Sequence, residues 1–234
     1  MSDQGLTIFV PVYNEEDILV ENTDRLAACL SELAGSPPFE IILGDNGSTD
    51  RTPALAASLS EKDPRVRWFS LPEKGVGAAF VRGVSLASYP AFITVDMDLS
   101  IDLAFIPAAL ELLKTHDIVI GSKICGQQKR PFHRKFASNL FIRLAGVLLD
   151  LPFQDYSIAA KGWRTEVARR YLALVDDLTF YVVRMVHQAK RDGLSITEVP
   201  VGCLDMRGSR FNLVHEGFYK FGNLFLLWFK TLRD

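Results

Sequence analysis

Ala91-Phe92-Ile93-Thr94-Val95 runs straight into Asp96-Met97-Asp98, an apolar segment of strand length followed at once by two carboxylates one residue apart. Aromatic and β-branched residues at this density favour an extended chain buried in a sheet. Alternation along such a chain turns Asp96 and Asp98 to the same side, where both can meet one hard cation. A Mg²⁺ or Mn²⁺ ion there would hold the two phosphates of a nucleotide-diphosphate and neutralise charge as it leaves. An Asp-x-Asp pair also caps helices and lines solvated turns, so the surrounding pattern has to decide between these readings.

Working outward, the same strand–helix unit recurs. Leu6 to Val12 reads as a first strand, and Glu15 and Glu16 are expected to open a helix carrying Ile18, Leu19, Leu26, Leu30 and Leu33 at helical spacing. Pro37-Pro38 closes that unit, Glu40 to Asp45 gives a second strand, and Thr52-Pro53 starts a helix with proline at its first position. Val66 to Ser70 is a third strand, Gly75 to Leu86 a glycine-led helix, and Ala91 to Val95 the fourth strand. A helix over about 103–113 and a fifth strand at Asp117 to Gly121 follow. Repeated units of this length predict an α/β fold, a mostly parallel sheet with helices on both faces. Ligands of such sheets bind beyond the carboxyl ends of the strands.

Beyond Gly121 the pattern changes. Lys129-Arg130-Pro131-Phe132-His133-Arg134-Lys135 is basic, Phe136 to Leu149 reads as an apolar helix, and Ile196 to Val201 as another strand. The tail from Phe218 to Phe229 is strongly aromatic. With neither repeat nor linker in view, the expectation is one domain over 1–234: a nucleotide-sugar-binding part at 1–123, then an acceptor-side and interfacial part at 124–234.

The chain has 234 residues, 48% hydrophobic and 23% charged, with a net charge of −2. That is ample for one core and argues against a protein devoted to nucleic acid, which would carry a large basic excess. Cys29, Cys125 and Cys203 are odd in number and far apart, which indicates neither zinc nor a disulfide framework. The four histidines have no metal-like spacing. Asp3 and Gln4 lead directly into the first strand, so no signal peptide is expected. No apolar run approaches the roughly 20 residues of a spanning helix; a cytoplasmic location is expected.

The strand ends bring polar groups to one edge: Pro11-Val12-Tyr13-Asn14-Glu15, Asp45-Asn46-Gly47-Ser48-Thr49-Asp50 and Glu73-Lys74-Gly75-Val76-Gly77, besides the carboxylate pair. Tyr13 can stack on a base, and Asp45 can accept from its N–H or from a ribose hydroxyl. Gly75, Gly77, Ala78 and Ala79 leave room for backbone to approach a ligand. Each of these turns alone is explained as a cap; three on one edge, together with the carboxylates, are not.

In those motifs the sequence resembles the GT-A-fold (Rossmann-like) family 2 glycosyltransferases, in their dolichol-phosphate mannose or glucose synthase-like branch. Asp96-Met-Asp-Leu-Ser100, Gly121-Ser-Lys123, Asp155 to Arg164 and Glu198-Val-Pro-Val201 match in the same order, so the likeness spans about residues 5–212. The resemblance implies an inverting, Mg²⁺- or Mn²⁺-dependent transfer of sugar from a nucleotide-diphosphate donor, of the GDP-mannose or UDP-glucose kind, to a polyprenyl or dolichyl phosphate. It implies Pro11, Tyr13, Asn14, Glu15, Asp45, Lys74, Gly77, Asp96, Met97 and Arg207 around the nucleotide-sugar, and Asp96, Asp98 and Ser100 at the metal. Asp98, Lys123, Asp155 and Arg210 would carry catalysis, with Lys123 and Arg134 at the acceptor phosphate. The chain departs from the pattern at Asn46 for an aspartate, Ser100 for a glutamine, Lys123 for an arginine and Ala159 for a glycine. Val182 and Arg184 stand where the family commonly has two carboxylates.

The basic run, the Phe136–Leu149 segment and the aromatic tail are expected to meet a membrane surface or a membrane-anchored partner, against the alternative of core or dimer packing. Three other functions compete: transfer to a non-lipid sugar acceptor, a non-catalytic nucleotide-sugar-binding relative, and a dinucleotide-dependent dehydrogenase. The last rests on Gly75-x-Gly77 alone, with Phe80 where its third glycine belongs and after the third strand rather than the first.

Overall fold

The computed structural model describes residues 5–123, 132–202 and 213–233, without the side chains of 132–136 and 213–216. Seven strands form one sheet: β1 (Leu6–Val12), β2 (Phe39–Asp45), β3 (Val66–Ser70), β4 (Ala91–Thr94), β5 (Ile118–Ser122), β6 (Lys161–Arg164) and β7 (Ile196–Pro200). Their order is β3-β2-β1-β4-β6-β5-β7. β1 pairs in parallel with β2 and β4, β2 with β3, and β5 with β7; β6 runs antiparallel to both β4 and β5. The chain steps from β1 outward through β2 to β3, then crosses to place β4 on the other side of β1. That reversal opens a crevice at the carboxyl ends of β1 and β4, the place where Asp96 and Asp98 emerge.

The helices are α1 (Leu19–Ser31), α2 (Thr52–Lys62), α3 (Val76–Leu86), α4 (Phe105–Leu112), α5 (Phe132–Leu149), α6 (Thr165–Arg170), α7 (Tyr181–Arg191) and α8 (Leu213–Thr231). α1, α2 and α4 supply Leu26, Leu30, Leu59 and Ile106 to the core on one face of the sheet. α3, α5, α6, α7 and α8 supply Phe80, Phe141, Val167, Met185 and Leu224 to the other. Both faces being covered, β1 and β2 are apolar almost without alternation. Phe9 stacks on Phe69 and Phe92 at 6.3 and 5.8 Å, and Phe80 meets Phe92 and Trp163 at 5.8 and 6.2 Å. Each such pair contributes about 0.5–1.5 kcal/mol beyond the area it buries. A Cβ on Gly44 or Gly83 would lie 2.6 or 2.5 Å from the Phe9 ring, so this aromatic row fixes both glycines by space rather than by backbone conformation.

Three differences from the sequence expectations have local causes. α1 begins at Leu19, not at the two glutamates, because the backbone N–H groups of Asn14, Glu15 and Glu16 donate to Ser48 Oγ, Thr52 Oγ1 and Asp50 Oδ2. β6 and α7 were not expected as elements. β6 carries Lys161 and Trp163 on one face and Gly162 on the other, a pattern too short and too mixed to read as a buried strand. α5 starts at Phe132 and α8 spans Leu213–Thr231, so both extend beyond the apolar segments that announced them.

Candidate nucleotide-sugar site

At the β1 and β2 ends, two loops build one another. Asn14 sits at φ 53°, its Oδ1 accepting from Thr49 N at 2.8 Å while its N–H donates to Ser48 Oγ at 2.8 Å. Glu15 N–H reaches Thr52 Oγ1 at 2.8 Å. Asn14 and Glu15 are therefore engaged in shaping the turn whatever else they touch. Asp45 is fully buried; its Oδ1 accepts from Ser48 N at 3.1 Å and its Oδ2 from Ser70 Oγ at 2.5 Å. Those bonds hold the carboxylate in one orientation at the floor of the edge and leave it lone pairs for a base or ribose donor. Pro11, beside Gly44 in the β1–β2 register, is half-buried. Tyr13 is half-buried too, and Lys74 Nζ lies 3.9 Å above its ring. That is cation–π distance, so a base stacking on this face would displace or share the ammonium. Asn46, in place of the family's aspartate, is buried and accepts from Gly75 N at 2.6 Å, tying the second loop to the start of α3. That bond needs an oxygen acceptor and no charge, which is a physical reason for an amide here.

At the β4 end the carboxylates come together differently from the sequence expectation. β4 stops at Thr94, so strand alternation does not align them. A turn does: Leu99 N donates to Asp96 O at 3.1 Å, Leu99 takes φ 45°, and Ser100 N donates to Asp98 Oδ1 at 3.0 Å. Met97 between them is buried in the core and its carbonyl accepts from Asn22 Nδ2 at 2.9 Å, which anchors the turn to α1. Burial and then the neighbouring Asp98 charge push the Asp96 carboxyl up to about 6, against the pull of Lys123. Two hard oxygen donors crowded enough to repel are the arrangement a divalent cation relieves. Among the described residues no group of three or more His, Cys, Asp or Glu is placed to hold a metal. Mg²⁺ and Mn²⁺ bound to a nucleotide-diphosphate take one or two carboxylates and fill their shells with phosphate and water, and the Asp96–Asp98 donor set fits that requirement.

Beside the pair lies a cation the sequence reading passed over. Lys161, on β6, is 2% exposed, with Nζ donating to the Ile158 carbonyl at 2.8 Å. Burial pushes its ammonium down to about 8, with Asp155 and Asp96 pulling up and Lys123 pushing further down. Asp155 is buried, with Oδ1 accepting from Ser157 N at 2.7 Å and Ser157 Oγ at 2.9 Å. Burial would raise its carboxyl, but Lys161, Lys123 and Ser157 together hold it below the usual range. Asp96, Asp155, Lys123 and Lys161 thus form one interacting set at the carboxyl end of β4 and β5. The signal in the sequence was a lysine inside the otherwise small and apolar Ile158-Ala-Ala-Lys-Gly-Trp163.

Gly77 is pressed from above. The segment after a short turn at Leu172–Leu174 crosses the start of α3, and a Cβ on Gly77 would sit 1.6 Å from the Asp176 carbonyl oxygen. Its space is taken by protein rather than kept open for a ligand. Ser100 is half-buried at the rim of the carboxylate turn. Arg207 and Arg210 lie outside the described residues, as does the side chain of Arg134. Val182 is buried in the core and Arg184 is ion-paired with Asp176 at 3.6 Å, so the two departures serve packing and a charge contact.

The family model described as glycosyl transferase family 2 matches residues 7–172, well over half of the chain. The chain belongs to glycosyl transferase family 2. Among its relatives, the glycosyltransferase AglD of Haloferax volcanii is 26% identical over 221 residues, 90% of this chain and 35% of that protein. The dolichol-phosphate mannosyltransferase of Pyrococcus furiosus is 34% identical over 148 residues, 62% of this chain and 41% of the other. The undecaprenyl-phosphate mannosyltransferase of Micrococcus luteus is 28% identical over 208 residues, covering 84% and 82%. The chain thus spans well under half the length of the first two. Glucosyl-3-phosphoglycerate synthase from Mycobacterium tuberculosis, crystallised with Mn²⁺, UDP and glucosyl-3-phosphoglycerate, superposes with a TM-score of 0.64 at 20% identity, covering 91% of this chain and 74% of that one. That likeness bears on the fold alone: the family 2 chain has the mostly parallel α/β architecture its sequence announced.

Proposed function

We propose that this family 2 chain transfers a sugar from a nucleotide-diphosphate donor of the GDP-mannose or UDP-glucose kind to a polyprenyl phosphate, with inversion. The observation that carries the reading is the Asp96–Asp98 pair at the crevice between β1 and β4, with Asp155, Lys123 and Lys161 gathered beside it. Asp45 and Tyr13 would hold the nucleoside, Asp45 through its fixed carboxylate and Tyr13 through its ring. Asp96 and Asp98, with Ser100 at their rim, would hold Mg²⁺ or Mn²⁺, which when bound screens the diphosphate charge as it departs. Lys123 offers an ammonium to phosphate, and Asp155 fixes the charge around it. A phosphate acceptor arrives as an anion and needs no strong protein base, so positioning and charge stabilisation supply the catalysis. The choice of acceptor is supported by the names of the Pyrococcus and Micrococcus relatives, which act on dolichol phosphate and undecaprenyl phosphate.

Contact with a membrane surface belongs to the same proposal. Among the described residues no helix is long and apolar enough to cross a membrane. α8 nevertheless exposes Phe218, Leu226 and Phe229, with Phe218 80% exposed and Leu232 exposed just past its end, and Val147 on α5 is 82% exposed. Phe141 of α5 and Phe221 of α8 meet at 5.6 Å, which seats the two helices together. A paired apolar surface of this kind suits the interface of a bilayer that carries the acceptor.

The test is a thermal-shift and transfer panel of GDP-mannose, UDP-glucose and other nucleotide-sugars, with and without Mn²⁺, on the wild type and Asp98→Asn. One donor should stabilise the wild type only with metal, Asp98→Asn should abolish the effect, and a short polyprenyl phosphate should accept the sugar. Transfer to a soluble glycan alone would establish the non-lipid acceptor, metal-dependent binding without turnover a non-catalytic relative. No donor binding under any metal would sink the proposal.

A further inference from the structure

Arg184 is in the right place to join three elements. Its Nη1 lies 3.6 Å from Asp176 Oδ2 in the segment that crosses α3. Its Nη2 donates to Asn223 Oδ1 of α8 at 2.5 Å. Asn223 is itself held, its Nδ2 donating to the Tyr219 carbonyl at 2.9 Å, which leaves the amide oxygen turned to the guanidinium. Asp176 is fixed from its own side by Leu178 N, which donates to Oδ1 at 3.0 Å. Burial and then the Asp176 carboxylate raise the Tyr219 phenol, so a second α8 side chain lies against the same group. The contact runs on through backbone: the Asp176 carbonyl fills the space over Gly77, and Gly77 N donates to the Asp177 carbonyl at 3.4 Å. From Gly75, two residues earlier, Asn46 leads back to the loop that begins with Asp45.

This route connects the exposed apolar helix to the edge where the nucleotide is proposed to bind. The charged pair at its centre is not a mobile surface pair: the Arg184 and Asp176 side chains are 32% and 14% exposed. An ion pair this shielded is less screened by salt than one on the surface, and loss of one partner leaves the other charge half-buried.

We propose that Arg184 is a positioning residue which ties the 175–179 segment to α8, so that the seating of α8 sets how firmly the start of α3 is held for the nucleotide. The inference rests on the nucleotide-sugar reading of that edge. Arg184 touches neither donor nor acceptor in this scheme; it acts through Asp176 and Gly77.

The experiment compares the wild type with Arg184→Ala, Arg184→Lys and Asn223→Ala. Three quantities are read: hydrogen exchange in the 175–179 peptide, the affinities of UDP and GDP in the presence of Mn²⁺, and donor KM against kcat. Arg184→Ala and Asn223→Ala should each speed exchange in that peptide. Each should weaken the better-bound nucleoside diphosphate by about three- to thirtyfold, the range of coupling such positions carry. The loss should appear in KM, with kcat largely kept, and Arg184→Lys should recover part of it. Faster exchange with unchanged nucleotide affinity would overturn the coupling. Weaker affinity with unchanged exchange would overturn the route through Asp176. If the wild type binds neither UDP nor GDP, the proposed function fails. The exchange data then still decide whether Arg184 ties the segment to α8.

Discussion

Gly77→Ala is the substitution whose outcome the structure constrains most tightly. The new Cβ would stand 1.6 Å from the Asp176 carbonyl oxygen, 2.8 Å from its carbon and 3.0 Å from Val175 Cγ1. An unstrained contact between such atoms is about 3.5 Å, so the 175–179 segment or the first turn of α3 has to retreat by well over an ångström. The obstacle is backbone, which cannot swing aside as a long side chain does. Retreat breaks the Gly77 N–H bond to the Asp177 carbonyl, already long at 3.4 Å. Overpacking of this kind costs about 1–3 kcal/mol, and in a chain of this size each kcal/mol lowers Tm by about 2–4 °C. Gly75→Ala supplies the comparison. There the Cβ meets only Ala78 Cβ, at 3.3 Å, the backbone is extended at φ −159°, and the N–H bond to Asn46 is kept. Gly75→Ala should therefore lie within about 1 kcal/mol of wild type, while Gly77→Ala loses several degrees in a thermal melt and raises donor KM. Equal melting temperatures for the two variants, or a larger loss at Gly75, would refute the claim that Gly77 is glycine because the Asp176 carbonyl lies on it.

Other expectations are more local. Glu40 accepts from Thr7 Oγ1 at 2.7 Å, Ser88 N at 2.6 Å and Arg67 at 2.7 Å. Glu40→Gln should cost about 2 kcal/mol, read in urea denaturation. Although burial pushes Glu40 up, Arg67, Ser88 and Thr7 hold it below the ordinary glutamate value. Its contribution is therefore complete above about pH 4.3 and is lost as pH falls through the lower folded value. The stability gap between wild type and Glu40→Gln should narrow below about pH 4; a constant gap would remove the charge from the account. Lys161→Met strands the Asp155 and Asp96 charges and should cost about 3–5 kcal/mol. Adding Asp155→Asn should recover part of that in a double-mutant cycle, and additive losses would show that Lys161 and Asp155 do not interact. Phe218→Ser with Leu226→Ser should weaken sedimentation with anionic phospholipid vesicles by about tenfold or more, given about 1.5–3 kcal/mol per buried side chain. Unchanged sedimentation would count against α8 as the surface in contact.

The parallel part of the sheet was readable because each of β1 to β5 is a short apolar run followed by turn residues and a helix, a pattern that follows from burial on both faces. β6 was not, and the reason is physical. It is four residues long, it lies between β4 and β5, and it contains a glycine and a lysine. Its register follows from tertiary fit: Gly162 is packed against Ala109 and Leu113 of the α4 region, and Trp163 lies under Phe80. Such a strand is specified by what surrounds it, so its own propensities are weak. α7 was missed for a related reason. The segment was read for two absent carboxylates, whereas Val182, Val183, Met185, Val186 and Ala189 form a buried stripe at helical spacing.

The same distinction separates the candidate site residues legible in the sequence from those that were not. Asp45, Asp96 and Asp98 stand at strand ends, where a buried strand hands its last polar residue to the open edge, and that position is visible in the order of residues along the chain. Lys161 is on a strand that arrives from the opposite direction, and its charge reaches the site only because β6 is inserted beside β4. Gly77 shows the converse. Its motif opens α3, and the chain's own return at Asp176, about a hundred residues later, fills the space above it. A glycine in a ligand-facing motif therefore does not by itself mean that ligand approaches it. Here the Asp176 carbonyl occupies the space over Gly77, while a Cβ on Gly75 would meet only Ala78.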